Sequence, residues 1–143
     1  SIEAARQALK GHVYALERKA EAVTLIRANA EKFQTTNLTV LEKEAPDGIA
    51  ELPPCDCVLI GGSGSQLAAI LKSVDRKLRS GGRIVLNCIT VQTLLGAIDY
   101  FRAQRTAYTY DAIQVQVNRL RQVGSYDMAQ AQNPIFIVRA EKR

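Results

Sequence analysis

The segment that reads CVLIGGSG places three glycines directly after a short apolar run. Residues 57–60 form the run, and Gly61, Gly62 and Gly64 follow it. The segment matches neither the GxxxxGK[ST] pattern of a phosphate-binding loop nor the GxGxxG pattern of a dinucleotide-binding turn. Glycines at a strand end nevertheless let a bound molecule come close to the backbone. We interpret the segment as a ligand-facing loop, and the alternative is a plain turn in which Ser65 caps the next helix.

Acidic side chains stand where two other predicted strands end. One strand covers residues 12–16 and precedes Glu17, and the next covers Leu38–Glu42 and precedes Glu44 and Ala45. Ligands of parallel sheets bind at the carboxyl ends of the strands. A carboxylate after the second strand can accept both hydroxyls of a ribose, as in enzymes that use NAD or S-adenosylmethionine. A polar group after the next strand could meet an adenine edge. The alternatives are an acid that favours a helix start and a solvated charged loop.

Polar and basic residues further along the chain could contact a substrate. Asn87, Thr90 and Gln92 lie at or just after the end of the predicted strand 83–87, and the alternative for them is that they cap the next helix. Arg119 and Arg121 could hold carboxylates, and the alternative for both is a solvated sheet edge. We assign no general base.

The composition is that of a globular protein with a basic surface. The 143 residues suffice for one domain, and the net charge of +5 gives a mild preference for acidic partners. Three cysteines without CxxC spacing, beside the single histidine His12, argue against a metal site. We expect the cysteines to be buried in or near strands. No apolar run is long enough for a membrane helix and no signal peptide opens the chain, so we expect a cytoplasmic protein without a membrane partner.

Short apolar runs alternate with helical patterns, which predicts an α/β fold with a mostly parallel sheet. The predicted helices cover residues 19–33, 65–78 and 91–105. Gly81-Gly82 punctuates the end of the second helix. The buried stripe of the third helix is predicted to comprise Leu94, Ala97, Ile98 and Phe101. The segments 108–119 and 134–139 have no helix between them and predict an antiparallel pair at one sheet edge.

Residues 1–9 have a helical pattern, but no strand precedes them. A doubly wound sheet normally has a central first strand that leads into such a helix. We therefore expect residues 1–143 to be a single domain that is N-terminally incomplete.

Four segments resemble the decarboxylating precorrin methyltransferases of cobalamin biosynthesis. They read HVYALERKAEAVTLIRANAEKF, TVLEKEAPDGIAELPPCDCVLIGGSG, LRSGGRIVLNCITVQT and NPIFIV, and together they span nearly the whole chain. That family, known as precorrin-8w decarboxylase or the C15-methylating part of precorrin-6Y C5,15-methyltransferase, methylates C15 of a corrin precursor and removes carbon dioxide from its C12 acetate. The resemblance implies a class I S-adenosylmethionine-dependent methyltransferase fold, which is Rossmann-like, with a seven-stranded sheet that ends in an antiparallel strand.

The resemblance also implies roles for single residues. Glu17 would hold the ribose of S-adenosylmethionine, Glu44 and Ala45 would lie at its adenine, and Gly61 and Gly62 would border its methionine end and the tetrapyrrole. The family usually has Asp where this chain has Glu44. Its first strand and GxGxG loop would lie just before the first residue of this chain. The candidates on the substrate side are Ser63, Gly64, Asn87, Arg119 and Arg121. A homotetramer and a C5-methylating partner or fused domain are further implications.

Three other functions fit parts of the sequence. An RNA methyltransferase of the same fold would suit the basic charge and would stack bases on tyrosines such as Tyr108, Tyr110 and Tyr126. No RNA-binding module is attached, so we expect no nucleic-acid partner. A nucleotide-binding module without catalytic activity is the second alternative. An NAD-linked oxidoreductase is the third, and the antiparallel ending suits it less well.

Overall fold

The computed structural model describes residues 1–143, which form two compact units, Ser1–Pro53 and Pro54–Arg143. The first unit contains α1 (Ile2–Gln7), β1 (Val13–Glu17), α2 (Ala20–Lys32), β2 (Leu38–Glu42) and a 3₁₀ turn (Ile49–Glu51). The second unit contains β3 (Cys55–Ile60), α3 (Leu67–Asp75), β4 (Leu78–Cys88), α4 (Val91–Ala103), β5 (Tyr108–Val115), β6 (Asn118–Val123), β7 (Tyr126–Ala131) and β8 (Ile135–Lys142). None of the four α-helices has the length and apolar character needed to cross a lipid bilayer.

The first unit is built on a parallel pair of strands. β1 and β2 pair in a register that sets Glu17 opposite Glu42, so both strands end at the same edge. Ala5 of α1 and Val23 of α2 are buried. The predicted strand Leu38–Glu42 has the predicted bounds, and the other predicted strand begins and ends one residue later than predicted.

One side chain joins the end of α1 to the start of β2. The Asn37 Nδ2 group donates to the carbonyl oxygens of Ala5, Ala8 and Gly11 over distances of 2.9, 2.8 and 3.0 Å. These carbonyl groups lie at or beyond the last turn of α1, where the helix has no backbone donors left. Asn37 therefore holds β2 against α1, and the Asn37 backbone carbonyl oxygen accepts a hydrogen bond from the Val13 backbone N–H at 2.9 Å.

The second unit is built on a four-stranded sheet of order β3-β4-β8-β5. β3 and β4 are parallel, and β8 is antiparallel to both of its neighbours. The predicted antiparallel pair at a sheet edge is confirmed, with β5 as the edge strand. From Gly82 to Cys88 of β4, buried residues alternate with more exposed ones, so one face of the sheet carries the core. The largest fully buried side chains of this unit are Tyr108, Phe101, Leu71, Ile84, Leu86 and Val138.

The second predicted helix is shorter than its apolar pattern indicates. α3 begins after Gln66, so Ser65 does not cap it as the alternative interpretation of the loop had it, and no side chain caps its N-terminus. Leu78 was predicted to end the helix, but it begins β4 and is buried there. A buried leucine satisfies the helical and the strand pattern equally well, so periodicity alone cannot separate the two.

Gly81 and Gly82 lie within β4, where the sequence predicted a break between elements. Gly81 has the left-handed backbone conformation, with φ of +77°. The opposite strand shifts its register between Cys55 and Cys57. The two glycines therefore lie at an irregularity in the pairing of β3 with β4. The apolar pattern of the sequence does not reveal such an irregularity.

The C-terminal half holds a hairpin that the sequence did not predict. The predicted strand 108–119 divides into β5 and β6, and β6 pairs with β7 as a separate two-stranded sheet. Every residue of β6 and β7 is exposed. The eight strands therefore form three sheets, whereas the family resemblance implied one sheet of seven.

The cysteines differ in burial. Cys88 is buried as predicted, and its burial raises the pKa of the thiol above the ordinary value. Cys55 is half-buried. Cys57 is exposed, so the prediction of a buried residue is wrong there. Alternation along β3 points this side chain to the face that the helices leave open.

Candidate active site

Glu17 is the last residue of β1, and one of its two carboxylate oxygens accepts a hydrogen bond within the protein. Its Oε1 atom accepts a hydrogen bond from the Lys19 backbone at 2.9 Å, just before α2 begins. The side chain is half-buried. Its second oxygen has no hydrogen-bond partner within the protein, and a carboxylate oxygen can accept more than one donor. The backbone bond thus orients the carboxylate and leaves acceptor capacity at the strand end.

Glu44 and Ala45 lie beside Glu17 within the first unit. The Lys43 backbone donates to the Glu17 carbonyl oxygen at 3.1 Å, which continues the pairing of β1 and β2 past their ends. The Arg18 Nη1 atom lies 3.3 Å from Glu44 Oε1. Both side chains of this ion pair are more than half exposed, so the pair contributes little to stability. The structure therefore places Glu17, Glu44 and Ala45 at or just beyond the carboxyl ends of the paired strands β1 and β2.

The glycine loop of the second unit is open to its surroundings. A Cβ atom added to Gly61, Gly62 or Gly64 would meet no atom within 4 Å. Gly64 has a φ of +53°, which favours glycine, but Gly61 and Gly62 do not have such a conformation. Neither packing nor backbone geometry within the protein therefore requires glycine at positions 61 and 62. Their lack of side chains leaves free space in front of the backbone.

Asn87 lies next to this loop across the parallel pair of strands. Ile60 pairs with Leu86, so Gly61 and Asn87 are the next residues along β3 and β4. The Asn87 side chain is exposed. Ser63 lies within the loop and is half-buried, and its carbonyl oxygen accepts from the Gln66 backbone at 2.9 Å. The second unit thus gathers its glycines and two polar candidates at one end of the sheet.

Thr90 has a structural role. Its Oγ1 atom accepts from the Thr93 backbone at 3.2 Å and caps the N-terminus of α4. The alternative that the sequence left open for Thr90, a helix cap, is thereby confirmed.

Arg119 and Arg121 stand apart from the loop. They lie on β6 of the exposed hairpin, opposite Gln130 and Met128 of β7. Neither makes an ion pair in the structure, and no contact joins them to the glycine loop. Their exposure fits the predicted alternative of a solvated edge.

Three exposed apolar residues follow β4 or lie in the first turns of α4 and were not predicted from the sequence: Ile89, Val91 and Leu95. The signal was present, because the predicted buried stripe of the third helix left out Val91 and Leu95. The structure confirms that Ala97 and Phe101 of this stripe are buried. The structure contains no group of three or more His, Cys, Asp or Glu side chains that could hold a metal ion.

The strand order and the residues at the strand ends define a class of protein. An antiparallel strand inserted beside parallel strands, with an acid and open glycines at strand ends, is the arrangement of class I S-adenosylmethionine-dependent methyltransferases. The chain belongs to the precorrin methyltransferase family, because the model of the precorrin methyltransferase domain matches residues 1–142.

Relatives of known name support this assignment. The chain is 37% identical over 135 residues to a probable cobalt-precorrin-6B C(15)-methyltransferase (decarboxylating) of Sulfurisphaera tokodaii, covering 93% of this chain and 68% of the relative. It is similar in structure to precorrin-6Y C5,15-methyltransferase from Geobacter metallireducens, with a TM-score of 0.87, 39% identity, and 99% of this chain and 72% of the other covered. Precorrin-8w decarboxylase from Methanobacterium thermoautotrophicum gives a TM-score of 0.79 and 28% identity, with 90% and 68% covered.

Proposed function

We propose that the protein transfers a methyl group from S-adenosylmethionine to C15 of a cobalt-precorrin or precorrin and removes carbon dioxide from the C12 acetate, in cobalamin biosynthesis. The observation that carries the proposal is the match of residues 1–142 to the precorrin methyltransferase domain. The names of the relatives give the position of methylation, the loss of carbon dioxide and cobalt-precorrin-6B as the substrate.

The cofactor would be held in part by the first unit. Glu17 is proposed to accept the ribose hydroxyls, and its free carboxylate oxygen fits this role. Glu44 and Ala45 are proposed to border the adenine ring. S-adenosylmethionine, when bound, supplies a methyl group on a positively charged sulfur.

The glycine loop would hold the reacting partners in line. Gly61 and Gly62 are proposed to border the methionine end of the cofactor, and the empty space in front of them fits a ligand that packs against the backbone. Ser63, Gly64 and Asn87 are proposed to face the substrate. Placing two reactants in line can supply about 7–11 kcal/mol of a barrier, so positioning is the main contribution of these residues.

The substrate itself would take up the charge that decarboxylation leaves. Loss of carbon dioxide from an acetate arm leaves an electron pair on carbon, and a conjugated tetrapyrrole ring can delocalise it. The chain would then have to orient the ring and its carboxylates. Arg119 and Arg121 remain candidates for the carboxylates, because both guanidinium groups are free of protein partners.

Assembly and location belong to the same proposal. We infer a homotetramer, with a C5-methylating enzyme as a separate partner or a fused domain. We also propose a cytoplasmic location. Nucleic acid is not among the proposed partners, because the family match favours a tetrapyrrole over RNA.

Calorimetric titration of S-adenosylhomocysteine tests the cofactor. The protein should be used as its gene encodes it in full. Saturable binding of the nucleoside supports a methyltransferase. A folded protein that binds no S-adenosylhomocysteine would contradict the proposal and favour a module without catalytic activity.

A further inference from the structure

We propose that the ion pair between Lys43 and Glu51 is a clamp that shapes the cofactor site of the first unit. It holds residues 44–48, which we call the adenine loop, in the form that receives the adenine of S-adenosylmethionine. Lys43 and Glu51 act through the loop, so both are positioning residues. The inference rests on the proposed function, because that function places Glu44 and Ala45 at the adenine.

Backbone hydrogen bonds fix the adenine loop at its start and close it into a turn. The Lys43 N–H donates to the Glu17 carbonyl oxygen at 3.1 Å, which ties the start of the loop to the paired strands β1 and β2. Within the loop, the Asp47 N–H donates to the Glu44 carbonyl oxygen at 2.8 Å. The buried Ile49 begins the 3₁₀ turn directly after the loop. The two residues proposed to border the adenine lie between these anchors.

One ion pair spans the adenine loop from end to end. The Lys43 Nζ atom donates to both carboxylate oxygens of Glu51, over distances of 2.8 and 2.7 Å. Lys43 directly precedes the loop, and Glu51 is the last residue of the 3₁₀ turn that follows it. Charge-assisted hydrogen bonds of this length are among the stronger ones in proteins. The pair therefore holds the two ends of the loop together.

Gly48 makes room for the clamp. Its φ of +84° favours glycine, and an added Cβ atom would lie 2.6 Å from Lys43 Cδ. The Lys43 methylene chain therefore passes directly over the backbone of Gly48. Because Lys43 is held at its backbone by Glu17 and at its Nζ atom by Glu51, this chain has little freedom to move aside. The glycine and the ion pair thus form one fitted arrangement.

We expect the clamp to act on the geometry of the loop more than on stability. The side chains of Lys43 and Glu51 are 37% and 66% exposed. An ion pair this exposed contributes little to the free energy of unfolding, because water competes for both groups. A loop that is already held in its bound form nevertheless loses less conformational entropy when a ligand binds. Loss of the pair should therefore weaken cofactor binding and leave the melting temperature nearly unchanged.

Removing either partner tests the clamp. The variants Lys43→Met, Glu51→Ala and K43M/E51A are prepared in the protein as its gene encodes it in full. We expect each to bind S-adenosylhomocysteine roughly fivefold more weakly in titration calorimetry, with no further loss in the double variant, because all three break the same interaction. In turnover of cobalt-precorrin-6B, the KM for S-adenosylmethionine should rise while kcat is retained, because the adenine takes no part in the reaction.

The variant R79M/D56A is the matched control. The Arg79 Nη1 atom lies 2.9 Å from both carboxylate oxygens of Asp56, and this pair is also largely exposed. Asp56 lies near the start of β3, at the opposite end of that strand from the glycine loop. We expect the control to bind S-adenosylhomocysteine as the unsubstituted protein does and to have the melting temperature of K43M/E51A.

Three results would overturn the clamp while the proposed function stands. The first is an unchanged affinity in all three variants. The second is weaker binding by Lys43→Met but not by Glu51→Ala, which would mean that Lys43 itself contacts the cofactor. The third is weaker binding with a melting temperature below that of the control, which would make the pair a stabilising contact. If the unsubstituted protein binds no S-adenosylhomocysteine, the proposed function fails and the clamp fails with it.

Discussion

The Glu17 carboxylate is held in one orientation, yet its second oxygen remains available to accept a hydrogen bond from a ligand. The Lys19 backbone amide holds one carboxylate oxygen at 2.9 Å, so the side chain is oriented before any ligand binds. A preoriented acceptor loses less conformational entropy on binding than a mobile one. The strand end and the acidic residue could both be predicted from the sequence. The backbone bond could not, because it depends on the turn between β1 and α2.

Replacing Glu17 by alanine should weaken cofactor binding. We expect Glu17→Ala to lose about 1–3 kcal/mol of binding free energy for S-adenosylhomocysteine, because the substitution removes the proposed acceptor of the two ribose hydroxyls. Titration calorimetry measures the change. Glu31→Ala on the exposed surface of α2 is the control and should bind as the unsubstituted protein does. Equal affinities for both variants would remove Glu17 from the ribose site.

Replacing Gly62 by alanine should leave the stability of the protein nearly unchanged but lower its activity. An added Cβ meets nothing within 4 Å, so Gly62→Ala should leave the free energy of unfolding within about 1 kcal/mol of its original value. Activity should fall, because the methyl group enters the space proposed for the ligand.

Gly82→Ala is the contrasting control for this prediction. Its added Cβ would lie 2.8 Å from the Arg79 carbonyl oxygen and 3.0 Å from that of Asp56, so the protein should lose stability. Urea denaturation and turnover, measured on both variants, check the pair. Full activity of Gly62→Ala would contradict a ligand-facing role for the loop.

A partly buried polar cluster joins α3 to the neighbouring strands β5 and β8. The Tyr108 hydroxyl of β5 donates to Asp75 Oδ1 at the end of α3. Lys142 of β8 donates to the Asp75 carbonyl oxygen at 2.6 Å and lies 3.0 Å from its carboxylate. An acid at a helix C-terminus is unfavourable by itself, so these two partners compensate for its position. The cluster ties together elements that are distant in sequence.

The cluster predicts acid sensitivity. Burial acts to raise the pKa of Asp75, but hydrogen bonds from Tyr108 and Lys142 outweigh it and hold the pKa below the ordinary value of 3.8. A group with a lowered pKa in the folded state stabilises the protein above its unfolded pKa, and this contribution is lost as the pH falls through the folded pKa. Burial, together with Asp75, raises the pKa of Tyr108, so its contribution is complete below its ordinary value of 10.0 and declines above it.

Removing the Tyr108 hydroxyl should cost stability near neutral pH. We expect Tyr108→Phe to lose about 1–3 kcal/mol of unfolding free energy and to show a shallower loss of stability in acid. Tyr110→Phe is the control, because Tyr110 lies on the same strand and its hydroxyl has no hydrogen-bond partner in the structure. Urea denaturation at neutral pH and below the ordinary pKa of Asp75 measures both effects. Equal stability of the two variants would contradict the structural role of the cluster.

Elements with strong local patterns were predictable, and those that depend on strand pairing were not. α2 and α4 end within two residues of their predicted bounds, because their apolar stripes repeat over several turns. Leu78 and Gly81-Gly82 were misassigned, because the strand irregularity around them depends on the partner strand. β6 and β7 were missed, because exposed strands carry no buried face to mark them.

The whole molecule combines a fold that follows from the sequence pattern with a function that follows from family membership. Alternating strands and helices were enough to predict the α/β class and its antiparallel edge. The substrate could not be predicted from periodicity or charge, because the same fold serves many chemistries. Ile89, Val91 and Leu95 show what the sequence pattern leaves open, because periodicity does not tell whether an apolar residue outside a buried stripe is exposed.

Assembly is a testable property at this scale. The protein exposes three large apolar side chains on one face of its hairpin, Val123, Tyr126 and Met128, and contiguous apolar patches of this kind mark association surfaces. We expect light scattering of the purified protein to give the mass of four copies. A monomer at every concentration would contradict the proposed homotetramer without bearing on the chemistry.

Mass spectrometry of the reaction product tests methyl transfer and decarboxylation in one experiment. The protein, as encoded in full by its gene, is incubated with S-adenosylmethionine and cobalt-precorrin-6B. We expect a product that has gained one methylene unit and lost one carbon dioxide, with an equal amount of S-adenosylhomocysteine formed. A product that gains the methyl group but keeps the acetate carboxylate would contradict the decarboxylating step. An unchanged tetrapyrrole would contradict the proposed function as a whole.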